Sequence, residues 1–245
     1  MADDDPDERD GSSAVLIPMN AAEAEGLPVA LVETLAPLHV VVLGYYPVPS
    51  QAAPEQVRSN HGDEATAAVE DAVSQFADRG AEVESVVFFT HDKDETIDHV
   101  AAEYDIDAVL TPGEYPEKLT RVLVPMRGDE NLDRIISFVV DLLRQNDVTA
   151  TLYNVATSDE EASRGELLLR GARERLAEDG VDPDRVEWQI DRGDSPADAI
   201  VTAAEEYDTL IIGESEPSLR ERVLGRIAGR VVDRVDKPVL VVRDS

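Results

Sequence analysis

An internal repeat constrains this chain more than any other feature. Val15-Leu16-Ile17-Pro18-Met19 returns as Val122-Leu123-Val124-Pro125-Met126, 107 residues later. Ala101-Ala102-Glu103-Tyr104 is followed by Asp107 and the apolar Ala108-Val109-Leu110. It returns 101 to 103 residues later as Ala204-Glu205-Glu206-Tyr207, with Asp208 and Thr209-Leu210-Ile211-Ile212 behind it. Two matches in the same order, at nearly the same spacing, imply two copies of one unit.

The hydrophobic pattern says what that unit is. In the second copy, Arg121–Pro125 is a short Val-rich run with the length of a buried strand. Between 131 and 144, Leu132, Ile135, Ile136, Val139, Val140 and Leu143 recur at helical spacing. Strand patterns follow at Thr149–Val155, Arg185–Ile190, Thr209–Ile212 and Pro238–Arg243. Helical patterns lie between them at Ser158–Asp179, from Ser195-Pro196, and at Leu219–Arg234. Strict alternation of strand and helix predicts a parallel sheet covered on both faces by right-handed crossovers.

The first copy repeats the order. Strands are expected at Ala14–Ile17, His39–Tyr45, Val83–Phe89 and Ala108–Thr111, and helices at Ala21–Ala36, Asp63–Arg79 and Glu95–Tyr104. It then stops. Ala14–Gly113 is 100 residues and Thr120–Ser245 is 126, a deficit of 26, close to one helix and one strand. The expected fold class is therefore α/β, with two copies of a doubly wound, Rossmann-like parallel-sheet unit, the first lacking its last helix and strand. The expected boundaries are 1–12 as a disordered acidic tail, 13–119 as the truncated unit and 120–245 as the complete one. The Pro-rich stretch Pro47–Gly62 reads as a mobile loop. The unpaired last strand leaves two arrangements open: it pairs within the chain across a pseudo-two-fold, or it pairs with a second chain.

Composition excludes several functions. The chain has 53 acidic and 22 basic residues, a formal charge of −31, and no cysteine. No disulfide, thiolate metal site or Cys nucleophile is possible. No basic stripe exists for nucleic acid, and an anionic membrane surface would repel the chain. The acidic start is unlike a secretory signal. Pro37 breaks the longest apolar stretch, so direct membrane insertion is not expected. A cytoplasmic protein is the expectation. Only Lys93, Lys118 and Lys237 are lysines, and the acids run along the whole chain. That is the surface of a halophile, where concentrated salt screens self-repulsion.

With these residues in hand, the second copy resembles a universal stress protein domain. Val122-Leu123-Val124-Pro125, then Gly193 with Pro196-Ala197 and Ile200, then Gly213, Gly225 and Pro238-Val239-Leu240-Val241-Val242 match that family's motifs. The first copy resembles it more weakly. The resemblance implies a nucleotide crevice with a Gly-x2-Gly-x9-Gly-Ser/Thr phosphate loop and an Asp for the ribose. It places the degenerate pocket at Arg127, Val155, Gly213, Glu216, Gly225 and Arg226. Glycines there would let backbone N–H groups approach phosphate. Here Glu216 stands at the second Gly position, and Gly225 aligns only across a one-residue deletion. Arg226 stands at the Ser/Thr position and Arg127 at the ribose Asp. A carboxylate in such a loop repels a triphosphate. The first copy has Asn20 near the ribose position and no glycine loop after Thr111.

Two readings of the vacated pocket follow. Arg127 pairs with Glu214 or Glu216 and plugs the crevice, or Arg127 and Arg226 hold an anionic ligand. The closeness of the acids in sequence favours the plug. His91-Asp92 with Asp94 and Glu95 fits no metal-ligand spacing and reads as a helix start. No nucleophile–base set can be named, so neither a catalytic nor a metal site is assigned. The expectation is a non-catalytic stress-response or regulatory protein with no cofactor, acting through an unknown protein partner or as a homodimer. The alternatives are an ATP or AMP sensor using a modified pocket, and an accessory subunit of a membrane transporter.

Overall fold

The computed structural model describes residues 12–23, 26–128, 131–214 and 226–244. The first unit runs β1 (Ala14–Asn20), α1 (Val29–Leu35), β2 (His39–Pro47), α2 (Pro54–Ala77), β3 (Val83–Thr90), α3 (Lys93–Glu103) and β4 (Ala108–Thr111). The second runs β5 (Arg121–Pro125), α4 (Leu132–Gln145), β6 (Thr149–Ala156), α5 (Asp159–Glu178), β7 (Val186–Arg192), α6 (Pro196–Ala204), β8 (Thr209–Gly213), α7 (Arg226–Val232) and β9 (Val239–Val242), with a 3-10 turn at Pro183–Arg185.

The nine strands among the described residues form one sheet in the order β3-β2-β1-β4-β9-β8-β5-β6-β7. Every pairing is parallel except β4 with β9, which is antiparallel with Val109 opposite Val241 and Thr111 opposite Val239. Of the two arrangements open from the sequence, the last strand pairs within the chain. β9 completes the second unit against β8 and stands beside β4 where the first unit has no fifth strand of its own.

Equivalent anchors appear in both units. The Asp107 carboxylate accepts the Ala14 N–H at 2.8 Å, and the Asp208 carboxylate accepts the N–H groups of Thr120 and Arg121 at 2.8 and 2.9 Å. Each ties the start of the fourth strand of its unit to the start of the first. Asp141 of α4 crosses between units and accepts from both the Ser13 N–H and its hydroxyl.

Alternation along the strands divides the core. Val15, Ile17, Ala108, Leu110, Val122, Val124, Ile211, Leu240 and Val242 point to one face and share a single cluster with α1, α2, α4 and α5. This apolar layer is continuous across the junction. The opposite face carries two separate cores, one under α3 (Ala14, Leu16, Val41, Leu43) and one under α6 and α7 (Leu123, Leu210, Ile212, Val239, Val241).

Two local expectations are corrected. The Pro-rich stretch is largely helix, because α2 begins at Pro54. The first helical position needs no N–H donor, and the ring fixes φ where a helix wants it. The first helix is shorter than its apolar pattern suggested, and Pro28 has an extended backbone just before Val29. Proline in the interior would remove a hydrogen bond and clash with the preceding turn. Residues 1–11, and the part of the expected Leu219–Arg234 helix before 226, lie outside the described residues.

Candidate functional site

The carboxyl ends of β5 and β8 lie side by side, since β5 pairs with both β6 and β8. This is a point where strand order reverses and such sheets hold ligands. Past Pro125, Met126 turns back to the sheet. Its N–H reaches the Tyr153 carbonyl at 2.7 Å, and its own carbonyl accepts the Asn154 side-chain amide at 2.7 Å. Asn154 is buried, and a Cβ on Gly165 would collide with it, so α5 packs on β6 only because residue 165 is glycine.

Arg127 follows and is exposed. Its charge acts on Glu161 of α5. That exposed carboxyl is held below its usual range first by the Thr157 hydroxyl, then by the Thr157 N–H, with Arg127 and Arg164 adding to it. Ser158 caps the same helix by accepting the Glu161 N–H at 3.2 Å. Glu161 in turn accepts the Thr157 N–H and hydroxyl at 2.8 and 2.6 Å, one residue before the cap, and these bonds together fix where α5 starts.

Across the crevice, Gly213 is pressed against α4. A Cβ there would stand 2.7 Å from Ile135 Cδ1. Asn131 precedes α4 in the left-handed region, with φ 59° and ψ 8°, and its side chain makes no capping bond. It donates instead to the Glu214 carbonyl at 2.7 Å, joining the start of α4 to the end of β8. The site thus joins Asn131, Gly213 and Glu214, while Arg127, past the end of β5, acts on Glu161 of α5. Val155, half-buried, sits farther along at the end of β6.

The expected pairing of Glu214 with Arg127 is corrected. Arg243 Nε approaches Glu214 Oε2 at 3.6 Å, and Arg243 Nη1 reaches Asp98 at 3.0 Å. The reason lies in the register. Gly213 stands opposite Val242, and the Glu214 N–H bonds to the Val242 carbonyl at 2.7 Å, so Arg243, the residue after β9, falls beside Glu214. Glu216 and Gly225 lie outside the described residues. Arg226 begins α7, and its side chain lies outside them too.

In the first unit the Asn20 side chain closes its own turn, accepting the Ala22 N–H and donating to Glu23. After Thr111 the chain continues along β9, with the Glu114 N–H on the Asp236 carbonyl at 2.5 Å. At the ends of β2 and β3, Tyr46 stacks on both Phe89 and His61 at centroid distances of 5.0 and 5.1 Å. Asp92 caps α3 by accepting the Glu95 N–H at 3.0 Å, which is the helix-start reading of that acidic stretch.

The sequence profile described as the universal stress protein family matches residues 118–243, just over half of the chain. The chain belongs to this family. The fold comparison extends over nearly the whole length. A universal stress protein from Archaeoglobus fulgidus DSM 4304 is 17% identical with a TM-score of 0.68, over 95% of this chain and 96% of that one. A putative universal stress protein from Pseudomonas aeruginosa UCBPP-PA14 is 17% identical with a TM-score of 0.62, over 95% and 93%. A functionally unknown protein from Pseudomonas aeruginosa PAO1 is 17% identical at 0.61, over 95% and 92%. At these identities the likeness is one of fold. The comparison with curated proteins gave no match.

Sequence reasoning missed Asn131 and Arg243. An Asn directly before an apolar helical run is a recognisable helix-start signal. Its bond to Glu214, 83 residues away, leaves no local trace. No helix among the described residues is long and apolar enough to cross a membrane.

Proposed function

We propose that this universal stress protein is a non-catalytic, cytoplasmic stress-response or regulatory protein whose second unit, 120–245, keeps the outline of a nucleotide crevice without its chemistry. The truncated unit, 13–119, supplies the other half of the sheet. The observation that carries this reading is the latch across the crevice, with the Asn131 amide on the Glu214 carbonyl at 2.7 Å. It ties the start of α4 to the end of β8, at the strand ends where such sheets hold ligands. The sequence supports it, because Arg127 stands at the ribose acid and Glu216 and Arg226 in the phosphate loop. A left-handed non-glycine residue is sparsely populated and persists where its surroundings hold it. Here the bond to Glu214 holds it.

The test is thermal unfolding in multimolar KCl with ATP or AMP. A ligand at a hundred times its dissociation constant stabilises by about 2.7 kcal/mol. In a protein of this size that raises the melting temperature by roughly 5–10 °C. No rise is expected with either nucleotide. A rise of that size would make the protein an ATP or AMP sensor with a modified pocket. Recovery of the protein with a membrane transporter would instead favour an accessory regulatory role.

A further inference from the structure

The repeat provides an internal control for what covers each strand. β8 is the fourth strand of its unit, and both of its faces are closed: Leu210 and Ile211 are fully buried and Ile212 is 6% exposed. β4 is the fourth strand of the first unit. Ala108 and Leu110 are buried on the shared face, but Val109 and Thr111, the counterparts of Leu210 and Ile212, are only half-buried. The difference falls on the face where the second unit has α7 and the first has no fourth helix. The gap between the core under α3 and the core under α6 and α7 has the same origin.

A groove of about 430 Å³ occupies that gap, at the carboxyl end of β4. Its floor is Pro18, Val109, Thr111 and Val241, and its walls are Ile97 on α3 and Gly229 on α7. The rim is acidic. Asp94, Asp98, Glu214 and Asp233 line it beside Lys93 and Arg243. Arg243 is already engaged by Asp98 and Glu214, and Lys93 lies over the Tyr45 ring at 5.2 Å.

We propose that this groove is a docking surface for an amphipathic helix of a partner protein with lysine or arginine flanking its apolar row. The shape argument comes from the repeat: the second unit covers the equivalent strand face with a helix, and Val231 of α7 is fully buried in doing so. The charge argument comes from the rim, where four carboxylates face two cations, on a chain of net charge −31. A basic flank meets complementary potential there, and an acidic one meets repulsion. The rim shares Glu214 with the crevice, while Asp94, Asp98 and Asp233 stand on or beside α3 and α7, so thiol labelling on the floor reads the groove directly and nucleotide binding is read separately.

The absence of cysteine makes the test clean. Thr111→Cys places one thiol on the groove floor, and Ile212→Cys places one at the covered counterpart. Each is reacted with a neutral maleimide in the full-length protein, at the lowest salt that keeps it folded. Thr111→Cys should react about tenfold faster or more, because the covered site needs local opening to react. A synthetic basic amphipathic helix of about five turns should slow that reaction, and a twin with glutamate replacing its cations should not. Equal slow labelling at both positions would mean that the chain covers the groove itself, and the proposal fails. Fast labelling that the basic peptide does not slow, or that both peptides slow alike, also overturns it. Val109→Cys repeats the measurement if Thr111→Cys does not fold.

Discussion

Arg185 shows how a single side chain can close the end of an element. The last carbonyls of a helix have no partner within it. Arg185, in the turn before β7, donates to the carbonyls of Leu143 at 2.8 Å, Val148 at 2.6 Å and Asn146. The donors lie on three different nitrogens spread over one rigid plane, a spacing that the compact ammonium of lysine does not reproduce. Tyr115, in the link after β4, shows the opposite case of a group kept neutral. Burial pushes its phenol up to about 12 from an ordinary 10, with a hydrogen bond from the Gly113 backbone working the other way. The folded state therefore holds this proton more tightly than the unfolded chain does. Its contribution is complete below pH 10 and is lost as pH rises toward 12, by roughly 1–2 kcal/mol. Tyr115→Phe should unfold less steeply with pH over that window than the parent protein, as read from urea midpoints at pH 9, 10 and 11. Parallel pH profiles for the two proteins would mean that the Tyr115 hydroxyl is already exposed enough to ionise freely.

At the scale of elements, the antiparallel joint between β4 and β9 makes two units into one sheet. Gly113 sits at its edge, where a Cβ would overlap the Lys237 carbonyl carbon and come within 2.5 Å of its oxygen and of the Pro238 nitrogen. Backbone cannot turn aside as a flexible side chain can. Gly113→Ala should destabilise the protein by about 2 kcal/mol or more. Gly171→Ala, in mid-α5 with nothing within 4 Å of the added carbon, should stabilise it by about 0.5–1 kcal/mol through helix propensity. Denaturant midpoints of the two variants should move in opposite directions, and a shared direction would sink the assignment of Gly113 to a tight joint. The joint marks the limit of what the sequence conveys. The Val-rich runs at Arg121–Pro125 and Ala108–Thr111 were legible because buried parallel strands are apolar and short. The starts of α1 and α2 were not, because Pro28 falls inside the expected Ala21–Ala36 helix and Pro54 inside the expected loop, whereas Pro28 stands just before Val29 and Pro54 is the first residue of α2. At the site, the positions of Arg127 and Gly213 were legible from strand ends. The partner of Glu214 was not, because Arg243 reaches it through the register of β8 with β9, a relation across strands that no local pattern encodes.

At the scale of the molecule, one core layer and one sheet run through both units, and that layer has to hold together a chain of net charge −31. The described ion pairs cannot offset this. Pairs such as Arg164–Glu160, Arg170–Glu166 and Lys118–Asp147 are exposed, and exposed pairs contribute about 0–1 kcal/mol each. Folding brings 53 carboxylates closer together than the unfolded chain does, so the folded state bears more of the repulsion. Mobile ions relieve it. The screening length falls from about 8 Å at 0.15 M salt to about 3 Å at 1 M. The urea midpoint should therefore rise steeply with KCl, with most of the gain below about 1 M, where the screening length changes most. Urea is the denaturant of choice because guanidinium would itself screen the charges. The transition should stay single at every salt concentration, because the layer across β4 and β9 couples the two units. A gain that appears only above about 1 M would point to salt strengthening apolar burial rather than relieving charge. A midpoint indifferent to KCl throughout would sink the view that the acidic surface is matched to concentrated salt, and two separate transitions would show that the shared core does not unite the halves.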